Sequence, residues 1–196
     1  EPDFSDMWMK EFYEKWLTVP YSQEKEEYQN HPENFGYSLI GIDEQEFDFL
    51  NKNLEQPINK EEFLSGKTCI IYRTGLDLSN SDLIGSKVTC ALHSDKQVTQ
   101  TFTIGGVTDE SYYTAILGYP PTIITSDQVV KNFANESITL KIGVKYTKEY
   151  DRNIEKEILK LLEANGKEKD LSWDSKIEEA DEIKNAQGYM PQIGMG

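Results

Sequence analysis

"YPPTIITSDQVVKNF", residues 119–133, decides how this chain is read. Two consecutive prolines cannot sit inside a helix, and they hold the residue before them extended. The five residues from Thr122 to Ser126 are β-branched or small and predict a short strand. Ser126 then has the chemistry to cap a helix over "DQVVKNF". A strand that runs straight into a capped helix, with no nucleophile, base or metal ligand at the joint, makes sense as one joint in a longer pattern.

The same pattern recurs on both sides. Upstream, "YSLIGID" (37–43) predicts a strand, and Asp43 is placed to cap a helix carrying Phe47 and Leu50 on one face. Asn59 and Glu62 stand near capping-box spacing, Gly66 closes that short helix, and "KTCIIYR" (67–73) is a β-branched run. "TGLDLSNSDLIGS" (74–86) reads as a loop. "KVTCALHS" (87–94) and "QVTQTFTIGGV" (97–107) predict strands joined by a hairpin-like turn at "HSDK". In the second of these, Val98, Phe102 and Ile104 alternate with polar residues, so one face is expected buried and one wet. The Gly105–Gly106 pair reads as a bulge or turn, because no Lys-Ser/Thr follows to make a phosphate cradle.

Downstream, "SITLKIGVKYT" (137–147) predicts a strand, and residues 149–166 predict a helix whose apolar stripe is Ile154, Ile158, Leu161 and Leu162. "DLSWDS" (170–175) reads as a strand, and Ser175 with Glu178 opens a last helix. At the other end, Phe4, Trp8, Phe12 and Trp16 recur every four residues with Met7 beside them, which predicts a helix over 3–18 ended by Pro20. The polar stretch 22–36 reads either as a second short helix or as a loop.

Composition narrows the function. The 196 residues suffice for one domain or two small lobes with a real core. A formal net charge of -15 repels phosphate backbones and speaks against nucleic acid as a partner; it either attracts cationic ligands, such as basic peptides or metal ions, or only keeps the protein soluble. No apolar run approaches the roughly 20 residues of a membrane helix. A chain that opens on Glu1 and closes on the Gly/Pro-rich "GYMPQIGMG" is expected to be an excised piece of a longer protein with a frayed tail.

The residues that could carry chemistry are few. Cys69 and Cys90 lie on two predicted strands; they read as small buried apolar residues, with a disulfide open to them if the strands are neighbours. Asp77, Ser79, Asn80 and Asp82 lack EF-hand spacing, the Gly and the closing Glu, so turn chemistry rather than calcium accounts for them. His31 and His93 stand far apart in polar turns. The many carboxylates fall on solvated helix faces, and no GxSxG occurs. No catalytic, cofactor or metal residue is singled out, and the chain is not read as an enzyme.

The order of segments resembles the extracytoplasmic core domain of FtsX/MacB-like ABC transporter permeases. The residues that carry the resemblance are Gly41 to Asp43, Phe63 and Gly66, Gly85 and Val88, Phe102 to Val107, and Ile123 to Ser126. It covers roughly residues 37–187. It implies an α+β fold: a porter-like, membrane-proximal α/β lobe from the two chain ends (1–58 and 134–187), an inserted β-rich, sabre-like lobe (59–133), and a flexible tail (188–196). It also implies a place at the extracellular face of the cell membrane, and as partners the permease's own membrane helices, a cytoplasmic ATPase subunit and a second permease copy. The implied role is non-catalytic: contact with cargo (a cationic peptide) or an accessory protein, coupled mechanically to ATP hydrolysis. The expected contact surface comprises Asp77, Asn80 and Asp82 with Tyr112, Tyr113 and Tyr119, the tyrosines serving either as exposed anchors or as core filling. Two rival functions are a secreted or lipoprotein-type binding module, and a hydrolase with a dispersed carboxylate pair.

Overall fold

The structure is a computed structural model that describes residues 2–31, 36–73, 77–92, 95, 97–110, 113, 121–134 and 152–164. Contacts divide the chain into two units, Glu1–Ile138 and Thr139–Gly196. The fold is α+β. In the first unit β1 (Ser38–Ile42), β2 (Thr68–Tyr72), β3 (Lys87–Ala91), β4 (Thr99–Thr108) and β5 (Thr122–Ser126) form one mixed sheet in the order β1-β5-β2-β4-β3. β1 runs parallel to β5 and β2 parallel to β4, while β5/β2 and β4/β3 are antiparallel.

The strand that opened the sequence reading is central for a physical reason. All five residues of β5 are buried, so both of its faces and both of its edges need cover. β1 supplies one edge along its whole length, from Ser38 opposite Thr122 to Ile42 opposite Ser126. From residue 38 to residue 126 the strands belong to a single sheet, so β1, from the expected membrane-proximal segment, pairs with β5, from the expected inserted one.

Successive strand residues face opposite ways, and the sheet therefore divides two cores. Cys69, Ile71 and Ile123 join Phe4, Met9 and Leu83 on one side. Ile70 and Ile124 join Phe47, Leu50 and Phe63 on the other. The first side is covered by α1 (Phe4–Glu11), α2 (Tyr21–Asn30), α5 (Asn80–Leu83) and α6 (Asp127–Phe133); the second by α3 (Glu44–Lys52) and α4 (Lys60–Leu64).

The helix starts form as their caps dictate. Side chains of Asp3, Asp43, Asn59 and Ser126 accept from the N–H groups of Asp6, Glu46, Glu62 and Gln128 respectively. The stretch 74–86, expected to be loop throughout, contains the single-turn helix α5, held by a reciprocal capping box between Ser79 and Asp82. The polar stretch after Pro20 is helical, as α2.

Two local irregularities move residues off their expected faces. Cys69 pairs with Ile104 but Ile70 pairs with Gly106, so Gly105 is an extra residue that bulges β4. The bulge shifts the alternation, and Val107 returns to the core that holds Phe102 and Ile104. At the N-terminus the helix expected over 3–18 changes at Phe12 to a π-helical segment, Phe12–Trp16, in which Leu17 N–H reaches back to Phe12 O at 3.2 Å. Trp8 and Phe12 still stack, with centroids 5.0 Å apart, but the wider turn slips the four-residue phase and leaves Trp16 52 % exposed. Val98, expected on the buried face, precedes β4 and is exposed.

Cys69 and Cys90 are both buried and free. β4 lies between their strands, so the neighbour relation a disulfide would need is absent. Burial pushes both thiols up, Cys90 to about 12.

The second unit shows α7 (Arg152–Ala164), with Ile158 and Leu162 half-buried and Leu161, expected on the apolar stripe, exposed. The strands expected at 137–147 and 170–175, the last helix, the tail and His93 lie outside the described residues.

Candidate functional site

β2 and β4 are parallel neighbours, so their C-terminal ends open at the same edge of the sheet. Arg73 directly follows β2 and Asp109 directly follows β4. Their backbones extend the ladder by one bond, Arg73 N–H to Thr108 O at 3.0 Å. The guanidinium then grips the carboxylate with two bonds, Nε to Oδ1 at 2.9 Å and Nη2 to Oδ2 at 2.5 Å. The remaining nitrogen, Nη1, donates to Leu78 O and Asn80 Oδ1, both at 3.1 Å. Asn80 Nδ2 in turn donates to Glu55 Oε2 at 2.5 Å.

Arg73, Asp109, Asn80 and Glu55 line a polar hollow of about 500 Å³, together with Asn53 and Glu110. Glu55, Asp109 and Glu110 set three carboxylates against the one guanidinium, so the hollow carries excess negative charge. Hydrogen bonding to Asp109 raises the already high Arg73 pKa further, and the guanidinium stays charged at any working pH.

Three of the six expected contact residues lie on the segment beside this hollow. Asp77 is clasped by the N-terminal region: its N–H donates to Glu11 Oε1 at 3.1 Å, and its carboxylate meets Lys15 Nζ at 3.0 Å. Lys15 also pairs with Glu11 at 2.7 Å; those two carboxylates raise its pKa, Glu11 most. Asn80 lines the hollow itself. Asp82 is occupied in capping α5, and the Ser79 hydroxyl and N–H hold its carboxyl below its ordinary value. Tyr113 is no exposed anchor: it is 4 % exposed, packs in the core of α3 and α4, and its hydroxyl donates to Glu46 Oε1 at 2.9 Å. Tyr112 and Tyr119 lie outside the described residues.

Sequence reading missed Arg73, Glu55 and Asp109. The available signal was an ion of opposite sign directly after each of two strands, "YR" and "TD". Only strand order shows that those two ends are adjacent. Chemically the hollow is suited to receive a cationic group between carboxylates, with its walls already fixed by hydrogen bonds. Among the described residues no group of three or more His, Cys, Asp or Glu is placed to hold a metal ion, and no helix is long and apolar enough to cross a membrane. Compared with protein-family models, curated proteins and solved structures, the chain matches none.

Proposed function

We propose that this chain is a non-catalytic, extracytoplasmic domain of an ABC transporter permease, which contacts cargo or an accessory protein and couples that contact to a cytoplasmic ATPase. The observation that carries the reading is the position of the residues on which the resemblance rests. Several of them stand where a strand meets a helix or a turn, or in the core, and have a physical task there. Gly41 lets α6 approach β1, since a Cβ would lie 2.7 Å from Asp127 Cα, and Asp43 caps α3. Phe63 is fully buried, and Gly66 and Gly85 take φ of +80° and +90°, where glycine is favoured. Ser126 caps α6 at the end of β5. A domain of rigid joints around a pre-tied polar hollow suits the transmission of contact, which requires two arrangements with different affinity for the partner. The acidic hollow, on a chain of net charge -15, favours a cationic peptide or a basic accessory surface.

The test begins with the parent reading frame and ends with the purified membrane protein. Apolar spans are expected on both sides of this segment, and the product is expected to co-purify with an ATPase subunit. Protease added to intact cells should cut within the present segment. A parent without membrane spans, or one whose segment is protected in intact cells and cut only after lysis, overturns the proposal.

A further inference from the structure

We propose that the segment from Asp77 to Asn80 is a regulatory strap, through which the far end of the N-terminal helix sets whether the polar hollow is closed on itself or open. The inference concerns the hollow's own groups and is independent of the transporter reading.

The strap is tied at its two ends to different elements. At one end Asp77 meets the N-terminal region twice. Its N–H donates to Glu11 Oε1 at 3.1 Å, at the end of α1, and its carboxylate accepts from Lys15 Nζ at 3.0 Å, in the π-helical segment. At the other end Leu78 O and Asn80 Oδ1 accept from Arg73 Nη1, and Asn80 Nδ2 donates to Glu55 Oε2. The Asn80 carboxamide thus bridges a cation and an anion of the hollow, accepting from one and donating to the other. The chain itself occupies the polar groups with which the hollow would hold anything else.

The segment leaves little slack between its ends. Three Cα steps separate Asp77 from Asn80, roughly 11 Å at full extension. Between them Leu78 packs against the first core, which makes it a pivot. Asn80 moves with the turn around it, because Ser79 and Asp82 hold each other in the capping box of α5.

The end at Asp77 is the one that releases first. The Lys15 and Asp77 side chains are 50 % and 81 % exposed, where an ion pair holds weakly and salt or a charged partner reaches it. When Asp77 leaves Lys15 and Glu11, the strap tilts about Leu78 and draws Asn80 out of its bridge. Arg73 keeps its two bonds to Asp109, but Nη1 and the Glu55 carboxylate come free. The opened hollow then offers a donor and an acceptor side by side. Such coupling is reciprocal, so a change at the hollow also loosens the clasp at Asp77.

The test is solvent exchange measured by NMR on the 196-residue chain, with one probe at each end: the Asp77 N–H for the clasp and the Asn80 Nδ2 protons for the hollow. Lys15→Gln removes the charge from the clasp and should speed exchange at Asn80 Nδ2 at least about fivefold. In the other direction, Arg73→Lys removes the Nη1 donors and should speed exchange of the Asp77 N–H by a similar factor. Raising NaCl to about 1 M should speed exchange at Asn80 Nδ2 in the parent chain and leave it unchanged in Lys15→Gln, a response that a merely local contact does not give. The Ile71 N–H, in the middle of the sheet, should keep its protection throughout. Should Arg73→Lys lower protection at Ile71 as well, Asn80→Ala, which leaves the fork to Asp109 in place, takes its role. Substitutions that each alter exchange at their own end alone, or a salt response that survives in Lys15→Gln, overturn the proposal.

Discussion

Arg73 commits all three guanidinium nitrogens to the protein, two against Asp109 and one to Leu78 O and Asn80. Its side chain is 25 % exposed and that of Asp109 63 %, so solvent screens much of the Coulomb energy and the geometry matters more than the charge. Arg73→Ala should cost about 1 kcal/mol in urea denaturation, and Arg73→Lys should recover little of it because an ammonium cannot reproduce the fork. The Asp82 carboxyl gives a pH-dependent counterpart. Its folded pKa lies below the ordinary 3.8, held there by Ser79. A depressed folded pKa contributes stability that is present above the unfolded value and is lost as pH falls through the folded one. The melting temperature of Ser79→Ala should therefore lie below that of the parent chain at neutral pH, and as pH falls below 3.8 the gap should narrow to the part supplied by the Asp82 N–H bond to the Ser79 hydroxyl, which does not titrate. The caps at Asp43, Asn59 and Ser126 were legible in sequence because a cap bonds within three residues of itself. The Arg73–Asp109 fork was not, because its partners are 36 residues apart.

Elements were legible where periodicity is strong and blurred where packing sets the phase. The four-residue aromatic rhythm at the N-terminus correctly marked a helix, yet the π-helical turn at Phe12–Trp16 rotated Trp16 outward. The glycine pair at 105–106 read as a bulge or a turn; strand pairing makes it a bulge, and one that returns Val107 to the core. Gly41 and Gly106 separate two kinds of close approach. An alanine Cβ at Gly41 would sit 2.7 Å from Asp127 Cα, which is backbone and cannot yield without moving α6 off β1. At Gly106 the nearest atom, at 2.8 Å, is Leu54 Cδ1, the end of a flexible side chain. Gly41→Ala should cost about 2 kcal/mol or more, and Gly106→Ala under about 1 kcal/mol, read as shifts in denaturation midpoint at constant m-value.

At the scale of the molecule, the sheet between two apolar layers makes a prediction of its own. Phe63 fills one core, stacked 4.4 Å from Phe47, and Phe102 fills the other. Phe63→Leu and Phe102→Leu should each destabilise by about 1 kcal/mol. With the sheet between them their effects should add, within about 0.5 kcal/mol, in a double mutant followed by urea denaturation. Strong coupling would mean that the two layers share strain across the sheet. The sequence by itself determined much of the local alphabet: the stretches that extend into the five strands, the caps that open α3, α4 and α6, and a net charge of -15. Those properties depend on contacts within a few residues, or on composition alone. Tertiary structure decided that β1 joins β5 across the expected lobe boundary, that β4 separates the cysteines, and that Arg73 meets Asp109. Strand order is set by which apolar faces and edges find cover, and that choice is made among all strands together.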